Sequence, residues 1–401
     1  MFPMFTSSHR SWMASALALS CVAALAFAQL APAEAANLHG TLRLPLSYRA
    51  WTLESDSAGV KTKIAQMHAP IVGSLALHPT ADLVITSAAA GSSLDLGAST
   101  GADEISIDGA ADVTAQAVWR LLGDRLLLQA GVNLPSGKRE LTLDQFALAR
   151  LLGQPLLGFR LDEYGRGFDW SAGAAAALPA GERVLVGFGG GVVEHGEYVL
   201  LAHGGEYRPG REGSVSFGLD LGIDDQGEAP VRLDATYRLY ARDELGPTTV
   251  FEEGDQLELQ LGLHRAGTPN RASLVARLVA KSDNVAHESA VGSDAVASLK
   301  TSAGTQLGLS ASCERDLSPV ATLGFGGAWM NFSDADAPGQ EGDAFEFGPA
   351  LAYSMGRVGR IDLGARYLAA TLRPRTVSGA PRPEVSAAGW MASLGFSLFG
   401  D

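Results

Sequence analysis

Hydrophobic and polar residues alternate along much of the chain. In the first such segment, leucines at every second position take turns with charged, polar and proline residues. The alternation is clearest at 42–51, 125–134, 214–223, 232–241, 256–264, 272–281 and 361–368. A period of two places successive side chains on opposite faces of an extended strand. The pattern therefore predicts strands of about ten residues, each with one apolar and one polar face.

The connections between these segments alternate between short and long. The short ones lie near 78–81, 123–124, 180–182, 225–229, 265–270, 316–318 and 356–359. The long ones lie near 54–60, 90–109, 136–167, 194–210, 243–254, 282–296, 333–343 and 374–385. We therefore predict an all-β fold, a transmembrane antiparallel up-and-down β-barrel with short periplasmic turns and long extracellular loops. It has about 16 strands, with about 14 as the lower count, and both ends lie on the periplasmic side.

A soluble β-sandwich is the alternative, because it shows the same alternation with its apolar face buried. Lipid cannot satisfy unpaired backbone groups, so a membrane-spanning sheet must close on itself. Charges in the middle of the polar faces favour the barrel, as do tryptophans near predicted strand ends, where a membrane interface would lie. These tryptophans are Trp51, Trp119, Trp170, Trp329 and Trp390. An alternating strand at 390–398 closes the predicted barrel, although Gly400 and Asp401 follow its last aromatic residue, Phe399.

The N-terminal residues have the layout of a secretory signal peptide. Arg10 precedes an apolar stretch at 13–28, and small residues follow up to a cleavage site after Ala35, with Ala28 as the second candidate. A retained membrane anchor and a lipoprotein attached through Cys21 are the alternatives. We predict a signal peptide at 1–35 and a single barrel domain at 36–401, located in the cell outer membrane.

Composition narrows the function further. The 401 residues carry a net charge of −14, whereas a general nucleic-acid binder needs a basic face, so nucleic acid is excluded as a partner. Of two cysteines, cleavage would leave only Cys313, which rules out an intrachain disulfide. Cys313 is expected to be an inert strand residue.

The predicted polar faces supply candidates for the lining of the barrel lumen. They are Arg43, Arg49, Arg232, Asp234, Arg238, Glu258, Arg277, Lys281, Asp362 and Arg366. Charged side chains at these positions would wet a pore and select solutes by charge. Because both signs are present, we expect weak selectivity.

The long connection at 136–167 contains a helix signal of its own. Thr142 and Gln145 have the spacing of a capping box, and Pro155 ends the helical run. A helix folded into the lumen would set a constriction, with Asp144, Phe146 and Arg150 as its candidate residues. The alternative is a surface lid without a role in transport.

Sequence motifs for catalysis or for a metal are absent or weak. The chain has no G-x-S-x-G motif, so no catalytic residue, no enzyme activity and no cofactor are predicted. His195 and His203 share a predicted loop with Glu194, Glu197 and Glu206, and a solvated polar loop is favoured there over a metal site. An acidic loop with Asp334, Asp336, Glu341 and Asp343 is likewise favoured as solvated rather than calcium-binding.

Several short motifs point to a family. They read GVNLPSG at 131–137, GRGFD at 165–169, ALP at 177–179, YRPG at 207–210 and DATY at 234–237. In this order they resemble Gram-negative outer-membrane transporters for hydrophobic compounds, namely FadL-type fatty-acid transporters and barrels linked to phenol degradation. The resemblance spans about 40–250 and implies passive uptake without a cofactor. A FadL-type protein also carries an N-terminal plug, for which a first strand near Thr41 leaves no room.

These expectations combine into one functional prediction. The protein is an outer-membrane channel or transporter for passive uptake of small solutes, hydrophobic ones included. Its expected partners are outer-membrane lipid, lipopolysaccharide, a small-molecule solute and the outer-membrane assembly machinery. The alternative is a structural, adhesive or assembly barrel without transport, which a completely filled lumen would favour.

Overall fold

Antiparallel strands form the wall of a closed barrel in the computed structural model. The structure describes residues 40–55, 61–97, 104–202, 204–223, 230–265, 267–289, 296–335, 341–373 and 384–400. The predicted signal peptide lies outside the described residues. The barrel strands are β1 Gly40–Ser55, β2 Lys61–His78, β3 Ala81–Asp95, β4 Ile105–Ala110, β5 Val113–Leu121, β6 Leu126–Leu134, β7 Asp169–Pro179, β8 Val184–Glu194, β11 Glu212–Leu221, β12 Val231–Tyr240, β15 Gln256–Arg265, β16 Asn270–Lys281, β19 Ala303–Ser318, β20 Ala321–Ala335, β21 Glu341–Ser354, β22 Gly359–Arg373 and β23 Val385–Gly400.

The barrel closes where its first and last strands meet. β1 pairs with β23 along its whole length, from Gly40 opposite Gly400 to Ser55 opposite Val385. The sheet holds 17 strand segments, but β4 and β5 both pair with β3, one beyond the other. They therefore form one interrupted strand, and the wall has 16 strands. The predicted fold class is confirmed.

The outward face of the wall is apolar. Large side chains such as Leu261, Phe325 and Leu363 are 42%, 52% and 46% exposed, which would be costly in water but suits contact with lipid. Trp119, Trp170 and Trp390 are exposed as the interface prediction requires. Trp51 is an exception: it is 2% exposed and points into the barrel, so its predicted interfacial position is wrong.

A second, smaller sheet continues several long connections. It consists of β9 Tyr198–Val199, β10 Glu206–Arg208, β13 Arg242–Leu245, β14 Thr248–Glu252, β17 Asn284–Ser289 and β18 Val296–Thr301. Their order in the sheet is β18-β17-β14-β13-β10-β9. The connections predicted at 194–210, 243–254 and 282–296 are therefore partly strands. These strands pair between different connections: Phe251 of β14, for example, lies opposite Ala286 of β17. Alternation within one short segment cannot reveal such pairing.

The connection between β6 and β7 folds back toward the inner wall. It contains a helix, α1 Leu143–Leu152, and a 3-10 turn at Pro155–Leu157. The predicted capping box is confirmed, with Gln145 N donating to Thr142 Oγ1 at 3.3 Å and Thr142 N to Gln145 Oε1 at 3.2 Å.

Apolar side chains of this connection complete a core inside the barrel. Leu148, Leu152 and Leu157 pack with wall residues such as Ile107 and Leu368, and all five are at most 2% exposed. Burial of a leucine side chain contributes about 2 kcal/mol. This core, rather than the lipid-facing belt, fixes the position of the connection, which we call the inserted segment (residues 136–167).

Candidate functional site

Inward-facing side chains of β1 hold the inserted segment by its backbone. Arg49 Nη1 and Trp51 Nε1 both donate to the carbonyl oxygen of Leu157, each at 2.9 Å. The next residue, Gly158, has a positive φ of 59°, and an added Cβ would lie 2.5 Å from Arg49 Nη1. Glycine is therefore required there by both the backbone conformation and the close approach of the arginine.

Gln66 of β2 fixes the part of the segment after this turn. Its Oε1 accepts from the backbone N–H of Arg160 at 2.9 Å and of Leu161 at 3.2 Å. Its Nε2 donates to the carbonyl oxygen of Leu161 at 2.5 Å and to Ser92 Oγ at 3.1 Å. Ser92 Oγ in turn lies 2.7 Å from Tyr164 Oη. Since Gln66 is 2% exposed, loss of these bonds would leave buried polar groups unsatisfied.

The interruption between β4 and β5 provides a third anchor. Asp112, in this gap, accepts from the backbone N–H of Gly137 at 2.6 Å and of Arg166 at 2.7 Å. It also accepts from Asn133 Nδ2 at 2.9 Å. One carboxylate therefore ties both ends of the inserted segment to the wall.

Two cavities remain inside the barrel on either side of the inserted segment. The first, of about 570 Å³, is lined by 161–166, by residues of β3 and β5–β8, and by His195 and Glu212. The second, of about 620 Å³, is lined by Arg160 and by inward residues of β1, β2 and β19–β23. Residues 160–166 thus separate the two cavities.

Opposite the inserted segment, predicted lumen-lining charges form a chain of ion pairs. Glu258 lies 3.2 Å from Arg238 and 2.6 Å from Arg277. Arg232 lies 3.2 Å from Asp234. The arginine side chains remain 37–56% exposed on the inward face, as a water-filled lumen allows. Further along β16, Lys281 pairs with Glu253.

The remaining predicted lining residues lie on the wall that carries the inserted segment. Arg49 and Arg366 both contact the carboxylate of Glu346, Arg49 at 2.9 Å. Asp362 pairs with Arg360 at 2.7 Å. The side chain of Arg43 is exposed near the periplasmic end of β1.

Sequence reasoning missed two residues of this region. Glu346 lies between the lipid-facing Phe345 and Phe347, and this charge between two aromatic residues of one strand was a usable signal. Arg160 belongs to no strand or helix, and nothing in its sequence surroundings indicates that it lines a cavity.

The three predicted constriction residues lie on α1. Asp144 and Arg150 are exposed, while Phe146 is half-buried against the core inside the barrel. The helix buries Leu148 and Leu152. The cavities are lined by the stretch that follows the helix and the 3-10 turn.

His195, just beyond the end of β8, joins two neighbouring strands. Its Nδ1 lies 3.2 Å from Asp169 Oδ1 and its Nε2 lies 3.2 Å from Glu212 Oε1, and the residue is 3% exposed. Burial alone would lower the pKa of the imidazole, but the contacts with the two carboxylates outweigh it and raise the pKa to about 9. The ring is therefore a cation at neutral pH.

The suggested metal sites find no support in the described part of the chain. No group of three or more histidine, cysteine, aspartate or glutamate residues there could hold a metal ion. Glu194 binds Arg208 and Arg211 instead, and Asp343 accepts from Asn331 at 2.9 Å. His203 and Asp336 lie outside the described residues. Among those residues, no helix is long and apolar enough to cross a membrane.

Comparisons with known proteins find only distant structural likenesses. No protein-family model and no curated protein sequence matches the chain. A deltaS2 mutant of the TodX monoaromatic hydrocarbon channel is 14% identical, with a TM-score of 0.46 and coverage of 90% of this chain and 91% of that one. A Pseudomonas aeruginosa FadL homologue is 11% identical, with a TM-score of 0.45 and 90% of each chain covered. Pseudomonas aeruginosa OpdL is 13% identical, with a TM-score of 0.44 and coverage of 91% and 99%. Identity this low transfers no substrate to this chain.

Proposed function

We propose that this protein is an outer-membrane channel for passive diffusion of small solutes. One observation carries the proposal: the inserted segment covers only one side of the lumen. Cavities of about 570 and 620 Å³ remain on either side of residues 160–166. Across the barrel, charged side chains are still partly exposed.

The outer face of the wall is apolar and the inner face is charged, as a water-filled channel in a membrane requires. Leucine and aromatic side chains cover the outside, whereas Glu258, Arg238 and Arg277 face inward. A structural barrel without transport needs no exposed inward charges, because a dry, packed interior would stabilise it better than ion pairs. In this proposal lipid and lipopolysaccharide surround the barrel, and the assembly machinery of the outer membrane inserts it.

Conductance across a planar lipid bilayer tests the proposal. The purified protein, folded in detergent, is expected to insert and to produce discrete current steps. In a variant, residues 142–163 are replaced by a short glycine-serine linker, so that Gly137 and Arg166 can still bind Asp112. This variant is expected to have a higher conductance than the wild type. Folding of both proteins is checked by the heat-dependent shift of their gel mobility. Folded, inserted protein that gives no current and no solute flux into liposomes would overturn the proposal.

A further inference from the structure

Two arginines lie on the outward, lipid-facing side of the barrel wall. Arg265 ends β15 and Arg315 lies near the end of β19, and both are exposed. They occupy the same alternate positions as the outward Leu263 and Leu309 of their strands, and alternate residues of a strand share one face. In the half of the barrel nearer the short turns, no other charged residue among those described occupies an outward strand position.

The two arginines are neighbours on this face, separated only by β16. Arg265 lies opposite Ala272 of β16. Arg315 lies opposite Asn270, two positions earlier on that same strand. Strands about 4.8 Å apart that rise about 3.4 Å per residue place the two arginine Cα atoms about 12 Å apart. Two extended arginine side chains can therefore reach one group that lies between them.

Neither guanidinium group is neutralised within the described part of the chain. The acidic residues on either side of Arg315 in the sequence point to the inner face. There, Glu314 and Asp316 bind Arg271, at 3.2 and 2.8 Å. No ion pair between described residues involves Arg265 or Arg315, so the outer face carries two positive charges without a carboxylate.

The surroundings of this pair are apolar. Ala272 and Cys313 lie opposite each other between the two arginines, and the exposed Phe325 lies next to Cys313. Beyond Arg315, toward the short turn, Leu317 is 59% exposed. A charged side chain on the lipid face is costly unless its head reaches the polar edge of the membrane. The two guanidinium groups therefore belong at the depth of the lipid headgroups, above an apolar surface against which an acyl chain can lie.

We infer that Arg265 and Arg315 form a binding site for the headgroup phosphate of an anionic phospholipid in the periplasmic leaflet. Arginine presents paired donors that match two phosphate oxygens. Two positive charges favour a headgroup with net negative charge over a zwitterionic one, whose ammonium group they repel. The inference goes beyond the proposed channel function, because it depends on the position of the barrel in the membrane and does not require conductance.

Native mass spectrometry of the folded barrel, released from detergent micelles, tests the inference. Phosphatidylglycerol and phosphatidylethanolamine are titrated separately, and the wild type is expected to bind the first lipid more tightly. Arg265→Gln and Arg315→Gln are each expected to weaken phosphatidylglycerol binding about tenfold, as loss of a charged hydrogen bond implies. Arg357→Gln is the matched control, because it removes the same charge from the exposed β21–β22 turn at the same end of the barrel. This control is expected to bind as the wild type does.

Several results would overturn the site. They are equal affinity of the wild type for the two lipids, unchanged phosphatidylglycerol binding in both outward variants, and an equal loss in Arg357→Gln. Displacement of the bound lipid by an equal concentration of inorganic phosphate would overturn the phospholipid as the occupant. The heat-dependent gel shift of each variant must match that of the wild type. Arg315→Lys keeps the charge and is expected to retain part of the preference for phosphatidylglycerol.

Discussion

Deprotonation of His195 is expected to destabilise the extracellular end of the barrel. The pKa of this imidazole is about 9, against an ordinary 6.5. Because the folded-state pKa is the higher one, the stabilisation is complete below about pH 6.5 and is lost as the pH rises through about 9. A difference of about 2.5 pH units corresponds to about 3 kcal/mol.

Urea unfolding of the protein in lipid vesicles, followed by tryptophan fluorescence, measures this loss. Between about pH 6 and pH 10, the free energy of unfolding of the wild type is expected to fall by about 3 kcal/mol more than that of His195→Gln. His287→Gln is the control, because His287 contacts the single carboxylate of Glu252 in the smaller sheet. If the wild type and His195→Gln show the same pH dependence, the electrostatic account of this cluster is refuted.

Two further predictions test how the wall faces and holds the inserted segment. Brominated lipid tails are expected to quench the fluorescence of a variant whose only tryptophan is Trp390, and to leave a variant with Trp51 alone unquenched; equal quenching would contradict the inward position of Trp51. Gly158→Ala is expected to lower the free energy of unfolding by about 1 kcal/mol or more, because of its positive φ and the nearby Arg49. An unchanged urea midpoint would show that the turn tolerates a side chain.

The strands and their faces could be predicted from the sequence because a strand's periodicity is local. The segment predicted at 272–281 corresponds to β16, Asn270–Lys281, and the one at 361–368 lies within β22, Gly359–Arg373. The same alternation predicted which side chains point into the barrel, as for Arg277 and Arg366. Trp51 shows the limit of this reasoning. The alternation along β1 placed it on the polar, inward face, whereas its residue type suggested the membrane interface.

The side-chain contacts inside the barrel could not be predicted, because they join residues far apart in the chain. Arg49 and Glu346 are 297 positions apart and form an ion pair at 2.9 Å. The second sheet likewise depends on pairing between separate connections. Neither the ion pair nor the second sheet leaves a periodic pattern in the local sequence.

The sequence by itself determined a closed, lipid-facing barrel, since alternation decides which side chains meet lipid and unpaired backbone groups force the sheet to close. Only the tertiary structure decided where the inserted segment lies. Its helix was visible in the capping box at Thr142, but its place depends on Asp112, Gln66 and Trp51, whose side chains bind backbone groups of the segment from the inner wall. That placement leaves Arg160 facing an open cavity, because side-chain packing and hydrogen bonding between distant residues, rather than local periodicity, shape the lumen.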